Sequence, residues 1–110
     1  MATSEAQRQP PARGAVHSAD IEYFMGNLAT NTVYAWTDAD ERLSELMQQC
    51  YANFVKSGDP NGPGVPRWRA ANVGETVQLM RLDVESAMEP DRHRARYVLP
   101  DELIGGPLAR

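Results

Sequence analysis

A histidine and an aspartate, His17 and Asp20, lie three positions apart in the stretch GAVHSADIEYF near the start of the chain. An imidazole titrates near neutral pH, so a histidine can act as a general base and acid, and it can also bind a metal. A zinc site needs three or four ligands, and His93 lies far along the chain without clustered partners. The residues alone therefore leave His17 as a catalytic base or an ordinary loop residue, with a metal ligand least favoured.

The single cysteine and the second histidine offer little further chemistry. Cys50 is the only cysteine, so the chain can form no intrachain disulfide and no thiolate metal cluster. Apolar residues such as Met47 and Phe54 lie at helical spacing from it, which indicates a small buried side chain and not a nucleophile. His93 lies within the run RHRAR, which is typical of a solvated surface. We therefore expect no metal site and no cofactor.

Length and charge limit the classes of partner. The chain has 110 residues and a net charge of -4, which allows one domain with a modest core. Nucleic-acid binding needs a positive face, so an acidic chain indicates no nucleic-acid partner. No segment approaches the roughly 18 apolar residues of a membrane span, and the polar start lacks the apolar stretch of a signal peptide. We expect no membrane partner and a cytoplasmic location.

The segments on either side of His17 must position it. Residues 1–13 are polar and include Pro10 and Pro11, which indicates a disordered or extended lead-in. Apolar side chains then recur at helical spacing over residues 18–28, and this predicts a helix capped by Ser18 or Asp20. His17 would directly precede that helix.

The clearest element is the stretch TDADERLSELMQQCYANFVKSGDP, which predicts one long helix. Thr37 and Asp40 have the spacing of a capping box, and Gly58 suits the left-handed position after the last turn. One continuous apolar stripe follows the helical period and consists of Leu43, Leu46, Met47, Cys50, Tyr51, Phe54 and Val55. The stripe predicts that one face of this helix packs against other residues.

The remaining sequence predicts a loop, a hairpin and a short helix. The run GDPNGPGVP is dense in turn-forming residues and predicts a turn-rich loop. Alternation in ETVQLMRLDV predicts a strand, with the region of Trp68 as its hairpin partner. The chain from Glu89 onward begins with a charged short helix, and residues 100–110 form a loose tail.

Three stretches together resemble a known family: GAVHSADIEYFMG, then ERLSELMQQCYANFVKSGDPNGPGVPRW, then QLMRLDV. In this order and at these separations they are similar to the C-terminal end of the type B carboxylesterases, which include para-nitrobenzyl esterases and cholinesterases. The resemblance implies a segment over residues 14–99 that corresponds to the C-terminal part of an α/β-hydrolase and lacks most of the central sheet. We therefore expect a mainly α fold with a short β-hairpin.

The resemblance also implies roles for individual residues. His17 matches the general base and acid of a Ser-Glu/Asp-His triad in carboxylic ester hydrolysis. Asp20 matches an acidic position that supports the site from behind the triad and is not the triad acid. Tyr23, Phe24 and Trp36 are candidates to line an acyl pocket in a complete enzyme, although packing of these rings against one side of the segment is the simpler interpretation.

Several parts of such an enzyme are missing from this sequence. A family member needs a G-x-S-x-G nucleophile elbow, an oxyanion loop and a triad acid. No serine of the chain is flanked by glycines at that spacing; the serines are Ser4, Ser18, Ser44, Ser57 and Ser86. We therefore expect background hydrolysis by this chain alone, and an ester substrate only where another segment supplies the nucleophile.

The apolar stripe supports a second hypothesis of another class. A helix that evolved to pack on a sheet would expose its apolar face if the segment stood alone. The chain would then be a self-associating interaction module with a relict histidine, and a homo-oligomer or a partner protein would cover the stripe. A non-catalytic adhesion-type relative is a third hypothesis, against which the retained His17 argues.

Overall fold

The computed structural model describes residues 14–105. It confirms a mainly helical fold with one short antiparallel hairpin. The elements in chain order are α1 (Ile21–Phe24), a 3-10 turn (Leu28–Thr30), α2 (Asp38–Ser57), β1 (Gln78–Arg81), β2 (Ala87–Pro90) and α3 (Arg94–Ile104). The predicted lead-in, residues 1–13, lies outside the described residues.

Helix α2 begins and ends as its sequence predicts. The Thr37 hydroxyl accepts a hydrogen bond from the Asp40 amide at 3.2 Å, and the Asp40 carboxylate accepts one from the Thr37 amide at 2.9 Å. These two bonds form the capping box and satisfy amides that have no partner inside the helix. At the other end, Gly58 has a φ of 75° and its amide donates to the Phe54 carbonyl at 2.7 Å.

Helix α1 is much shorter than the helix predicted over residues 18–28. Ser18 has a φ of 61°, and Asp20 precedes the helix without a side-chain capping bond, so neither predicted cap forms. Gly26 has a φ of 65°, which ends the helix after a single turn. The amide of Gln48 fills the space that a Cβ at Gly26 would need. The packing of α2 beside Gly26 therefore reinforces an early helix end.

The buried core is small and lies between α1 and the first half of α2. Its cluster consists of Tyr23, Leu28, Leu43 and Met47, and Phe24, Trp36 and Leu82 pack against it. Cys50 is also buried, as its place on the stripe predicts. The second half of the stripe is open, because Tyr51, Phe54 and Val55 are 56%, 55% and 69% exposed. Within the described residues, α2 is therefore covered over only part of its length.

Strand β1 does occur in the predicted stretch, but its predicted partner is wrong. β1 pairs with β2, in a register that runs from Gln78 opposite Pro90 to Arg81 opposite Ala87. The backbone of Trp68 is already bonded to Asn61, whose side chain accepts from the Trp68 amide at 2.6 Å and donates to its carbonyl at 3.0 Å. Trp68 therefore has no free backbone groups for a strand partner.

Helix α3 lies later than the predicted charged helix, because Glu89 and Pro90 belong to β2. It continues through Pro100 to Ile104, so residues 100–104 of the predicted loose tail are helical. Residues 106–110 lie outside the described part. None of the helices described here has the length and apolar content that a membrane crossing requires.

Candidate functional site

His17 lies in a tight turn that directly precedes α1. The Ala19 amide donates to the Val16 carbonyl at 3.2 Å, which closes the turn around His17. Ser18, the next residue, has a φ of 61°, a left-handed conformation that is uncommon for a residue with a side chain. Gly14, before it, has a φ of 84° and so uses a conformation that favours glycine. The turn therefore places His17 shortly before the start of α1.

The side chain of His17 is exposed. Among residues 14–105, no hydrogen bond or ion pair engages its imidazole, and the same holds for the Asp20 carboxylate. The Asp20 carbonyl does accept a hydrogen bond from the Phe24 amide at 3.0 Å, which is a main-chain contact at the start of α1. The structure thus brings His17 and Asp20 into one exposed turn without joining their side chains.

Tyr23 lies in the buried core. It is 1% exposed, and its hydroxyl donates to Oδ1 of Asp40 at 2.8 Å. Its ring meets the ring of Trp36 edge-on, with centroids 5.7 Å apart. The ring is therefore enclosed by the core of the described residues, and its hydroxyl has the hydrogen-bond partner that a buried tyrosine needs. Tyr23 therefore joins α1 to α2.

Phe24 and Trp36, the other pocket candidates, also pack against this core. The ring of Phe24 is half-buried and lies edge-on to the ring of Tyr51, with centroids 5.7 Å apart. The indole of Trp36 donates to the Asn31 carbonyl at 2.9 Å. Both rings thus pack on one side against the core. The rest of each ring stays accessible to solvent.

Asp40 is the buried charge of this region, at 3% exposed. Burial raises the pKa of its carboxyl, but hydrogen bonds from the Thr37 amide, the Tyr23 hydroxyl and the Thr37 hydroxyl outweigh burial. The net result is a pKa below the ordinary value, so the carboxylate stays ionised near neutral pH. The sequence predicted the capping role of Asp40 but not its bond to Tyr23.

Ser44 provides a second link between the two helices. It is 2% exposed, and its hydroxyl donates to the Tyr23 carbonyl at 2.7 Å. The side-chain amide of Gln48 reaches the Ser44 hydroxyl at 3.3 Å. The sequence did not predict this role for Ser44. Its position next to Leu43 of the apolar stripe was the available signal, since a polar group needs a partner when it is buried.

The turn-rich loop after α2 is held in place by hydrogen bonds within the loop and to α2. The Asp59 carboxylate accepts from the amide of Asn61 at 2.9 Å and from its side chain at 2.8 Å, and these bonds lower the Asp59 pKa. Asn53 of α2 donates to the Pro60 carbonyl at 3.2 Å. The loop therefore lies against the end of α2, and the Asn61 side chain bonds to the backbone of Trp68.

Across residues 14–105, no three side chains of histidine, cysteine, aspartate or glutamate lie close enough together to hold a metal ion. Cys50 is buried and free. The exposed side chain of His17 is an imidazole, a type of group that general acid–base chemistry uses.

The turn that bears His17, the long capped helix α2 and the two-stranded hairpin follow one another along the chain. A crystal structure of a carboxylesterase from Geobacillus stearothermophilus shares the fold, with a TM-score of 0.63 and 22% identity. The match covers 82% of this chain and 19% of that one. The sequence model of the carboxylesterase family matches residues 1–98. The chain belongs to the carboxylesterase family.

Curated relatives agree with this assignment. The chain is 32% identical to pyrethroid hydrolase Ces2e of Rattus norvegicus over 70% of its length, and 29% identical to cocaine esterase of Homo sapiens over 86%. It is 38% identical to carboxylesterase 5A of Canis lupus familiaris over 62%. The matched part spans 13%, 18% and 12% of those proteins, respectively.

Proposed function

We propose that this chain is the histidine-bearing segment of a carboxylic ester hydrolase, in which His17 is the general base and acid. The observation that carries the proposal is the exposed His17 side chain, without a hydrogen bond inside residues 14–105 and on a turn closed by Val16 and Ala19. Both ring nitrogens are thus available, one to a nucleophile and the other to an acid that orients the ring. Membership of the carboxylesterase family supports ester hydrolysis as the reaction.

The reaction would proceed by acyl transfer to a serine of another segment. His17 accepts the serine proton as the serine oxygen bonds to the ester carbonyl carbon, and it then donates that proton to the departing alcohol. In the second half, His17 accepts a proton from water as the water oxygen bonds to the acyl carbon. His17 then donates that proton to the serine oxygen as the acyl–serine bond breaks, which releases the acid and restores the serine hydroxyl. Asp20, which precedes α1 without a side-chain capping bond, would support the site from behind the triad, as the family resemblance implies.

This chain alone should not hydrolyse esters above background. Three of the described serines have hydroxyls that already donate to main-chain carbonyls: Ser44, Ser57 and Ser86. Ser18 follows His17 directly but is not part of an elbow that would aim its hydroxyl at the imidazole. Loss of a nucleophile alone costs several orders of magnitude in rate.

The remainder of an esterase is the partner that would complete the site. The chain spans less than a fifth of each relative and structure described above, so most of such a protein lies outside it. The open part of the α2 stripe, formed by Tyr51, Phe54 and Val55, offers apolar area for that contact.

A second candidate function rests on the same open stripe. Exposed apolar side chains on a regular helix favour self-association, so the chain would act as an interaction module in which His17 has no substrate. The two candidates differ in one respect: only the first needs His17.

A chimera distinguishes them. Residues 14–105 replace the structurally matched segment of the Geobacillus stearothermophilus carboxylesterase, and hydrolysis of para-nitrophenyl acetate is measured. We expect turnover that falls by at least about a thousandfold in His17→Ala. His93→Ala, which removes the other histidine at an exposed position, should leave turnover unchanged. Equal turnover in the parent chimera and in His17→Ala would contradict the proposal.

A further inference from the structure

The histidine turn has few contacts of its own that could fix its position. Its closing bonds are the 3.2 Å bond from Ala19 to Val16 and a long bond of 3.4 Å from the Ile21 amide to the Ser18 carbonyl. Helix α1, to which the turn is attached, is four residues long. One isolated turn of helix is unstable in water, because nucleation costs more than so few hydrogen bonds return. Contacts with the rest of the chain must therefore hold α1 in place.

Those contacts converge on Tyr23. Its hydroxyl donates to Asp40 at 2.8 Å, and its carbonyl accepts from the Ser44 hydroxyl at 2.7 Å. Asp40 and Ser44 lie four residues apart on α2 and so occupy the same helix face. Both ends of Tyr23, side chain and main chain, are thus bonded to one face of α2.

The α2 side of this contact is fixed in turn. Asp40 uses its other carboxylate oxygen to accept from the amide and the hydroxyl of Thr37, at 2.9 and 2.8 Å. A carboxylate bonded on both oxygens has little freedom to rotate, so Oδ1 stays directed at Tyr23. The capping box thereby sets where α1 lies as well as where α2 begins.

We propose that Tyr23, Asp40 and Ser44 are positioning residues for His17. The inference rests on the proposed role of His17 and adds the residues through which that role would be controlled. Tyr23 fixes α1 on α2, α1 fixes the end of the turn at Ile21, and the turn presents the imidazole. None of the three touches substrate, and each acts through the backbone that bears His17.

The test uses the full chain and a measurement that needs no activity. Backbone order at Val16, His17 and Ser18 is measured by the ¹H–¹⁵N nuclear Overhauser effect in the parent chain and in Tyr23→Phe. Tyr97→Phe is the matched control, since it removes the same hydroxyl from a residue that is 62% exposed. We expect lower order at the turn in Tyr23→Phe, unchanged order in α2, and no change in Tyr97→Phe.

Ser44→Ala provides an independent variant, because it removes the bond to the Tyr23 carbonyl and leaves the tyrosine hydroxyl in place. Ser44→Ala should also lower backbone order at residues 16–18, and backbone order in α2 should stay unchanged. A merely structural contribution would instead lower the melting temperature with no preferential loss of order at residues 16–18. Unchanged order at the turn in both variants would overturn the proposal.

The same substitutions in the chimera separate this inference from the proposed function. We expect Tyr23→Phe to lower kcat by roughly tenfold to a hundredfold, since displacement of a catalytic group by about 1 Å costs up to that much, with KM unchanged. Lower order at the turn with no effect of His17→Ala on turnover would support the positioning role and contradict the proposed function. If His17→Ala abolishes turnover of the chimera but Tyr23→Phe leaves kcat equal to that of the parent chimera, the positioning role is overturned.

Discussion

The hydroxyl of Tyr23 donates a 2.8 Å hydrogen bond to the carboxylate of Asp40, seventeen residues later in the chain. Both groups are almost completely buried, so neither has water as an alternative partner. The same carboxylate caps α2 through Thr37. One buried acid thus couples the start of the long helix to the short helix that follows the histidine turn.

This coupling predicts a dependence of stability on acid pH. The pKa of Asp40 is lower in the folded chain than its ordinary value of 3.8, so ionised Asp40 stabilises the fold above that value. The contribution is lost as the pH falls below the ordinary value and through the folded one. We expect Asp40→Asn to lower the free energy of unfolding by about 2 kcal/mol at pH 7, and by progressively less below about pH 4.

Urea unfolding at several pH values measures this difference. Asp38→Asn is the control, because it removes a charge from the same first turn of α2. A difference between parent and Asp40→Asn that stayed constant from pH 7 to pH 3 would contradict the role given to the Asp40 carboxylate.

The capping box predicts a second effect on stability. Thr37→Ala removes the hydroxyl that accepts from the Asp40 amide and donates to its carboxylate. Loss of such a cap costs about 1 kcal/mol. Thr76→Ala makes the same chemical change at an exposed loop position and should be nearly neutral. Thermal melting compares the two, and equal melting temperatures would contradict a stabilising cap.

The sequence predicts α2 correctly and α1 too long, for a physical reason. Everything that fixes α2 is local: its cap, its apolar period and Gly58 lie within or beside the helix. The end of α1 is reinforced by Gln48, a residue from another element, and its apolar spacing alone predicted a longer helix. Short-range patterns therefore predict the bounds of α2 but overestimate the length of α1.

In the hairpin and the candidate site, too, local features were predictable and contacts between distant residues were not. Alternation located β1, but the pairing of Asn61 with Trp68 removed the partner that sequence spacing suggested. The family resemblance singled out His17 by its motif, and the catalytic role of His17 stays a prediction. The roles of Tyr23 and Ser44 depend on two helices that meet only in the fold, so no local pattern could predict them.

The open part of the α2 stripe predicts association. Phe54 and Val55 are 55% and 69% exposed, and we expect the parent chain to sediment faster as its concentration rises. The double substitution Phe54→Ser and Val55→Ser should suppress this increase. Val73→Ser, at a loop residue that is 78% exposed, should not. A parent chain that sediments as a monomer throughout the micromolar range would contradict the prediction.

The absence of a nucleophile elbow predicts the behaviour of the isolated chain toward esters. Hydrolysis of para-nitrophenyl acetate should proceed at the same background rate with the parent and with His17→Ala. The liberated para-nitrophenolate is followed by absorbance. Saturable turnover by the parent that His17→Ala lacks would mean that a serine or Cys50 of this chain acts as a nucleophile.

Chemical rescue of the His17→Ala chimera tests the central claim most directly, namely that His17 carries the proton in ester hydrolysis. Free imidazole can enter the space that the substitution leaves and perform the same proton transfer. We predict that hydrolysis of para-nitrophenyl acetate by His17→Ala rises with imidazole concentration beyond the reaction of imidazole with the ester itself. The parent chimera should not respond in this way. A His17→Ala chimera that is folded and fully active without imidazole would contradict the claim.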